Sequence, residues 1–290
     1  MIQATKLELV DLGQQQSNMN ITFNHKNFFC HNINSFLLKK GYSDKNIYYL
    51  IKNNNVFIND IVVLDKNFKI RFNDKVKVIL NNEENTLNPF KKELSILYED
   101  DYILIVDKPK YIDVEPTKKN YNNTLANIVT YYYKNNDIKS KIHLVNRLDK
   151  LTSGIVILAK NQYIHNLFKN VKIKKKYLSN VIGKVNKKGI IKIKIKKDEN
   201  SIKRIISNDG KLSLTKYKLV SYKDNISLVD IELLTGRTHQ IRLSFASINN
   251  PLVDDPIYGV NINNNMYLDA YFVKFKHPIT KKIITINKRH

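Results

Sequence analysis

"NRLDKLTSGIVILAK", residues 146–160, sets a cation and a carboxylate two positions apart, then a Thr-Ser-Gly turn, then an apolar run at Ile155–Leu158. The run predicts a strand and the turn its entry. Two readings fit Arg147 and Asp149: a surface ion pair of small energetic value beside a turn, or charged groups held there for chemistry. The residues on either side of this stretch bear on the choice.

Strand signals are dense around it. ILIVDK (103–108), YLSNVIGKV (177–185), IIKIKIKK (190–197), LTKYKLVSY (214–222), ISLVDIELL (226–234) and YFVKFKH (271–277) each read as strands, with helical stretches near 122–134, 162–170 and 238–248. Strands outnumber helices without strict alternation, which predicts an α+β domain over 93–290 with a mixed, mainly antiparallel sheet. In IKIKIK strict alternation predicts isoleucines inward and lysines outward, which reads as a solvated face that also blunts an edge in preference to a contact with RNA. NNEENTLNPFKK (81–92), polar and with a proline, reads as a linker.

Ahead of it, INSFLLKKGYSDKNIYYLIKNNNVFIND (33–60) reads as two short helices, with Phe36 and Leu37 on one apolar face and Ile47, Leu50 and Ile51 on the other. Ser43 is placed to cap the second helix, with Asp44 in its first turn. Strands follow at 56–58, 61–64 and 75–80. This order resembles the αL-type RNA-binding module of the ribosomal S-four type, over about residues 31–80. The resemblance implies a small α/β domain, 19–80, whose Lys39, Lys40, Lys45 and Lys52 meet RNA. Asn55 stands where that module usually has glycine, and asparagine tolerates positive φ. Residues 1–18, with a glutamine run and a Met at 19, read as a leader or a remnant of expression and are set outside the fold.

The chain has 290 residues, 42% of them hydrophobic, enough for a large domain and a small one. Lys and Arg number 49 against 26 Asp and Glu, a net charge of +23 that suits a polyanion such as nucleic acid. The abundance of Asn, Lys, Ile and Tyr is also what AT-rich codons produce, so mutational bias supplies part of that excess. A single cysteine, Cys30, excludes an internal disulfide and a thiolate metal cluster and fits a reducing cytosol. No membrane span or signal peptide is legible, so the expectation is a soluble, cytoplasmic protein, a monomer by default.

LLTGRTHQIRLSFASINNPLVDDPIYG (233–259) ends a strand in a Thr-Gly-Arg turn and starts a helix near Thr238. Ile241, Phe245 and Ile248 share its apolar face; His239 and Arg242 share the polar one. Together with Arg237 they make a cationic patch that suits a phosphate or a carboxylate.

NRLDKLTSGIVILAK together with TGRTHQIR and PLVDDPIYG resembles the RluA family of pseudouridine synthases, which isomerise uridine to pseudouridine in RNA. ILYEDDYILIVDKP (96–109), KKYLSNVIGKV (175–185) and FKHPIT (275–280) add to the match, in the family's order. The resemblance implies that Asp149 is the catalytic aspartate, attacking the anomeric carbon or removing the 2′ proton. It implies that Arg242 is the aspartate's ionic partner, which favours the charged carboxylate. Tyr177 is implied to stack on uracil and relay the proton lost from carbon five, and Arg147 to fill the space of the extruded nucleotide. Arg237, His239 and Lys176 are implied to bind substrate, with cleft lysines holding phosphates.

Three positions depart from the family pattern: Asn146 and Asp269 stand where histidine is usual, and Asp254 where glycine is, which puts the backbone there in question. No metal-ligand spacing or phosphate-cradling glycine loop is present, so neither a metal nor any other cofactor is expected. The expected function is an RNA pseudouridine synthase acting on large-subunit ribosomal RNA, because the front module suits a large folded substrate. Its rivals are a transfer-RNA synthase and a non-catalytic RNA-binding factor in ribosome assembly.

Overall fold

The computed structural model describes residues 19–26, 31–118, 120–199, 201, 203–259 and 265–288. The segment 1–18, read as a leader, and Cys30 lie outside the described residues. The chain divides into two compact units, Met1–Asn82 and Glu83–His290.

In the first unit β1 (Asn20–Asn24) precedes α1 (Ile33–Lys39), α2 (Asp44–Lys52), β2 (Val56–Ile58), β3 (Ile61–Val62) and β4 (Lys75–Ile79). The strands form one antiparallel sheet in the order β1-β4-β2-β3. Asn32 and Ser43 cap the two helices by accepting from the backbone N–H groups of Ser35 and Asn46. The position that needs a left-handed backbone is Asn54, with φ 56°, and not Asn55. It ends α2: the N–H of Asn54 donates to the carbonyl of Ile51 and that of Asn55 to Leu50, so two helix-end carbonyls are satisfied by one reversal of the chain.

The second unit runs β5 (Ile96–Glu99), β6 (Ile103–Lys108), α3 (Leu125–Asn135), β7 (His143–Leu144), β8 (Ser153–Ala159) and α4 (Gln162–Leu167), which a 3-10 turn extends to Asn170. There follow β9 (Lys174–Ile182), β10 (Lys188–Lys197), β11 (Arg204–Ile206), β12 (Lys211–Lys223), β13 (Ile226–Leu233), α5 (Gln240–Ala246), β14 (Leu268–Lys276) and β15 (Ile283–Asn287). One eleven-stranded sheet takes the order β11-β10-β12-β13-β9-β14-β8-β6-β5, with β15 on β14 and β7 on β8. Its pairs are antiparallel except β14 with β8, which is parallel. The fold is thus α+β with a mixed, mainly antiparallel sheet, as the strand-rich sequence predicts. No helix among the described residues is long and apolar enough to cross a membrane.

The glycine of the Thr-Ser-Gly turn sits at that parallel seam. Gly154 has φ 114°, and a Cβ there would lie 2.4 Å from the carbonyl oxygen of Ala270 on β14. Only glycine lets the two strands approach this closely. Gly154→Ala is expected to destabilise the second unit by more than about 2 kcal/mol, read as a shift in the urea midpoint.

The stretch expected to be a linker is largely sewn into the second unit. The backbone N–H of Glu83 donates to Lys139, its carboxylate accepts from the backbone N–H groups of Lys141 and Gln162 and pairs with His143, and the N–H of Phe90 donates to Asn127. Polar side chains such as Glu83 and Asn85 are spent on hydrogen bonds to the body, a use that composition does not reveal.

Candidate active site

Asp149 lies in the loop from β7 to β8, and the loop is held from both ends. Asn146, the residue in place of the usual histidine, spans to β8: its amide donates to the carbonyl of Ile155 at 3.1 Å and accepts from the N–H of Ile157 at 2.8 Å. Leu148 is buried in the same core cluster as Leu104 and Val156. The carbonyl of Asp149 then accepts from the N–H of Thr152 at 3.0 Å, closing the turn that leads into β8. The charged entry to the strand is therefore a rigid platform for one carboxylate.

Lys108, at the end of β6, ties this platform down. It is fully buried, and its ammonium donates to the carbonyls of Pro109 and Ile112 at 2.9 Å and of Lys150 at 3.3 Å. Burial pulls its pKa down to about 8, against the attraction of Asp113, Asp149 and Asp107. The folded chain therefore releases this proton at lower pH than the unfolded chain, which holds it to about 10.5. Between these values the unfolded state binds more protons, so this group makes stability rise with pH. Wild type is expected to gain on Lys108→Met when urea midpoints are compared at pH 8 and pH 10.

Arg242, in the first turn of α5, is 3% exposed and does not lie on a solvent-facing side of the helix. Its Nε and NH2 form a fork on Asp255, at 2.8 and 2.6 Å, and its NH1 reaches Asp149 Oδ2 at 3.4 Å. Asp255 has no exposed surface, and it also accepts from the N–H groups of Ile257 and Tyr258. Burial opposes both charges. The mutual hydrogen bonds and attraction overcome it, raising the pKa of Arg242 and lowering that of Asp255. The cationic patch expected at this helix start is thus not an open anion cradle, because its central guanidinium is taken up by two carboxylates.

His239 precedes α5 in a left-handed conformation, φ 54°. Its Nδ1 shares a hydrogen bond with Tyr258 Oη at 2.9 Å, and its Nε2 lies 3.8 Å from Asp149 Oδ2. Burial, with the charges of Arg242 and Arg204, lowers its pKa despite Asp149, leaving a neutral imidazole at neutral pH. Asp254 also takes the left-handed conformation, φ 55°, so the backbone usual for glycine is kept with an aspartate in it.

Tyr177, on β9 beside Ile231 of β13, is 7% exposed, and its ring enters the core as well as the cleft wall. Burial and the charge of Asp149 push its pKa up, so the phenol keeps its proton at neutral pH. Asp149, Tyr177, His239 and Arg242 line a cleft of about 820 Å³, to which Arg147 and Arg237 also contribute. Arg147 is paired across solvent with Glu115 at 3.3 Å and not with Asp149. Arg237 is exposed, its Nε donating to the carbonyl of Leu212.

Lys176 departs from its expected place. Alternation along β9 turns it to the face opposite Tyr177, where it pairs with Asp230 at 3.4 Å and lies 6.0 Å from the ring of Phe272. Lys175 is the lysine that enters the cleft, as the period from Tyr177 already requires. Sequence reasoning also missed Asp255 and Lys108. In the first unit, Lys45 and Lys52 are exposed, Lys52 lying 6.0 Å from the ring of Tyr48. Lys39 is exposed as well, and Lys40 lies 5.1 Å from the rings of both Phe23 and Phe36.

The arrangement offers a carboxylate fixed by an arginine, a protonated phenol and a cleft fringed by cations. Residues 102–247 match the family model described as RNA pseudouridylate synthase. The chain is 35% identical over 229 residues to "Uncharacterized RNA pseudouridine synthase YhcT" of Bacillus subtilis, covering 75% of this chain and 76% of that one. It is 34% identical over 279 residues to "Ribosomal large subunit pseudouridine synthase D" of Buchnera aphidicola subsp. Acyrthosiphon pisum, covering 86% of each. Among solved structures, the human RNA pseudouridylate synthase domain containing 1 shares the fold, with a TM-score of 0.56 at 22% identity over 70% of this chain and 86% of that one.

Proposed function

Because the chain belongs to the RluA family of RNA pseudouridine synthases, and so isomerises uridine in RNA, we propose that its substrate is large-subunit ribosomal RNA and that Asp149 carries the chemistry. The observation that supports this most is the chain of charges from Asp255 through Arg242 to Asp149 at a cleft wide enough for an extruded nucleotide. The reaction cleaves the glycosidic C–N bond, turns the uracil and rejoins it through carbon five, with no redox change. A charged carboxylate serves it by attacking the anomeric carbon or by taking the 2′ proton. Arg242 supplies the counter-charge from a position that Asp255 fixes. Arg147, exposed at the rim, is set to enter the space that the base leaves. The compact unit Met1–Asn82 is read as the RNA-binding module of the S-four type, its lysines holding phosphate without reading sequence. The enzyme is read as a cytoplasmic monomer.

Tyr177 is read as stacking on the uracil, its phenol passing its own proton to solvent in the cleft as it receives the one from carbon five. Tyr177→Phe keeps the ring and removes the oxygen. We expect single-turnover conversion to fall about 10²-fold, with RNA affinity within about twofold; an unchanged rate would leave stacking as the tyrosine's whole role. The ribosomal reading is tested by mapping pseudouridine by chemical adduct on large-subunit RNA from cells with and without the protein. Loss of at least one site there is expected. Loss confined to transfer RNA, or unaltered RNA in both pools, would overturn the reading.

A further inference from the structure

A second cavity, of about 380 Å³, adjoins the catalytic cleft, and the two share Lys175, Val145, Leu233 and Gly236 in their walls. That volume is in the range of about 300–1,000 Å³ usual for small-ligand sites. Its lining combines apolar side chains such as Phe168 and Leu234 with the cations Lys169 and Lys172. The backbone at Gly236 is bare toward this junction: a Cβ there would meet no atom within 4 Å.

Lys175 is the unusual member. Its neighbours in sequence are neutralised on the opposite face of the sheet, Lys174 by Glu232 and Lys176 by Asp230, each at 3.4 Å. Lys175 faces inward between Leu233 and Val273, and among the described residues its ammonium has no hydrogen bond or ion pair. Burial lowers its pKa with nothing to oppose it. A solvated lysine needs no partner. A largely buried one without a partner costs stability unless a negative charge arrives from outside. The mutational bias that supplies lysines to the surface does not explain one in this place.

We propose that the smaller cavity is a second nucleotide subsite, in which Lys175 binds the phosphate linking the extruded uridine to its neighbour and the apolar wall receives that neighbour's base. The proposal rests on the reading of the cleft as the uridine site. Its chemistry follows from the parts: a phosphate supplies the missing counter-charge, and a base presents an apolar face to Phe168 and Leu234. Holding both nucleotides favours a uridine whose neighbour also leaves the stack, so the subsite selects for loops over paired stems.

The test uses the full chain and a synthetic stem-loop carrying the mapped uridine, with a neutral methylphosphonate in place of each flanking phosphate in turn. With wild type, one of the two replacements is expected to raise the RNA concentration for half-maximal single-turnover rate about tenfold. Lys175→Met is expected to bring the same rise on the unmodified stem-loop and to show no further loss at that position. Lys175→Gln, which keeps a polar stem, should behave alike. Wild type indifferent to both replacements would overturn the proposal, as would losses that simply multiply in the variants. An unmodified stem-loop left free of pseudouridine by wild type would refute the uridine reading itself, and this proposal with it.

Discussion

Asp149→Asn is expected to lower single-turnover conversion of uridine by a factor on the order of 10⁴ or more while leaving RNA affinity within about twofold. The amide has the carboxylate's shape without its negative charge, so it neither attacks a sugar carbon nor takes a proton. Affinity is spared because it comes mainly from lysine and arginine contacts with phosphates, which this change does not touch. Stability should also hold. The Asp149 side chain is 30% exposed, and Asp255 continues to satisfy Arg242 through its fork. Filter binding at fixed salt and conversion at saturating enzyme separate the two readouts. Retained turnover would remove Asp149 from its assigned role.

Arg242→Ala should be the most damaging change to the fold near the site. It leaves Asp255, with no exposed surface, as a buried charge that keeps only backbone N–H partners. Breaking a buried pair from one side costs about 3–5 kcal/mol, whereas replacing both partners with apolar residues of similar volume is far milder. The double variant Arg242→Met with Asp255→Leu is therefore expected to recover much of the urea midpoint lost by Arg242→Ala. It should recover no turnover, because Asp149 still lacks its counter-charge. A single variant within about 1 kcal/mol of wild type, or a double variant that restores activity, would falsify this account of the arginine.

The parts of the fold that were legible are those in which local pattern and tertiary demand agree. The strand signals of β6, β8, β9, β10, β12, β13 and β14 appear close to where they were read, because burial of alternate or continuous apolar residues is a local signature. Short strands such as β7 and β15 carry two to five residues and form only because a neighbour offers an edge. The site shows the same divide. Asp149, Tyr177 and Arg242 stand in motifs, so their part in one cleft was foreseeable. Asp255 was not, because its fork with Arg242 depends on how the loop after α5 folds back, and spacing carries no trace of that. The Asp-Pro pair at 255–256 does signal a turn, and a turn-forming aspartate was the available hint. Lys108 ends the strand ILIVDK beside Asp107, and nothing in that pattern tells a buried ammonium from a solvated one. The exchange of Lys176 for Lys175 had its signal in plain view, since one residue of offset from Tyr177 decides which face of β9 a lysine meets.

His239 and Asp254 each hold a backbone shape that favours glycine, one just ahead of Arg242 and the other directly before Asp255. A side chain in that shape costs about 1–2 kcal/mol in general, somewhat less for short polar residues. Left-handed backbone thus lies close to both members of the buried Arg242–Asp255 pair. The two residues set a local conformational cost directly against the stretch where that pair is formed, so its burial comes with backbone that a glycine would hold more easily.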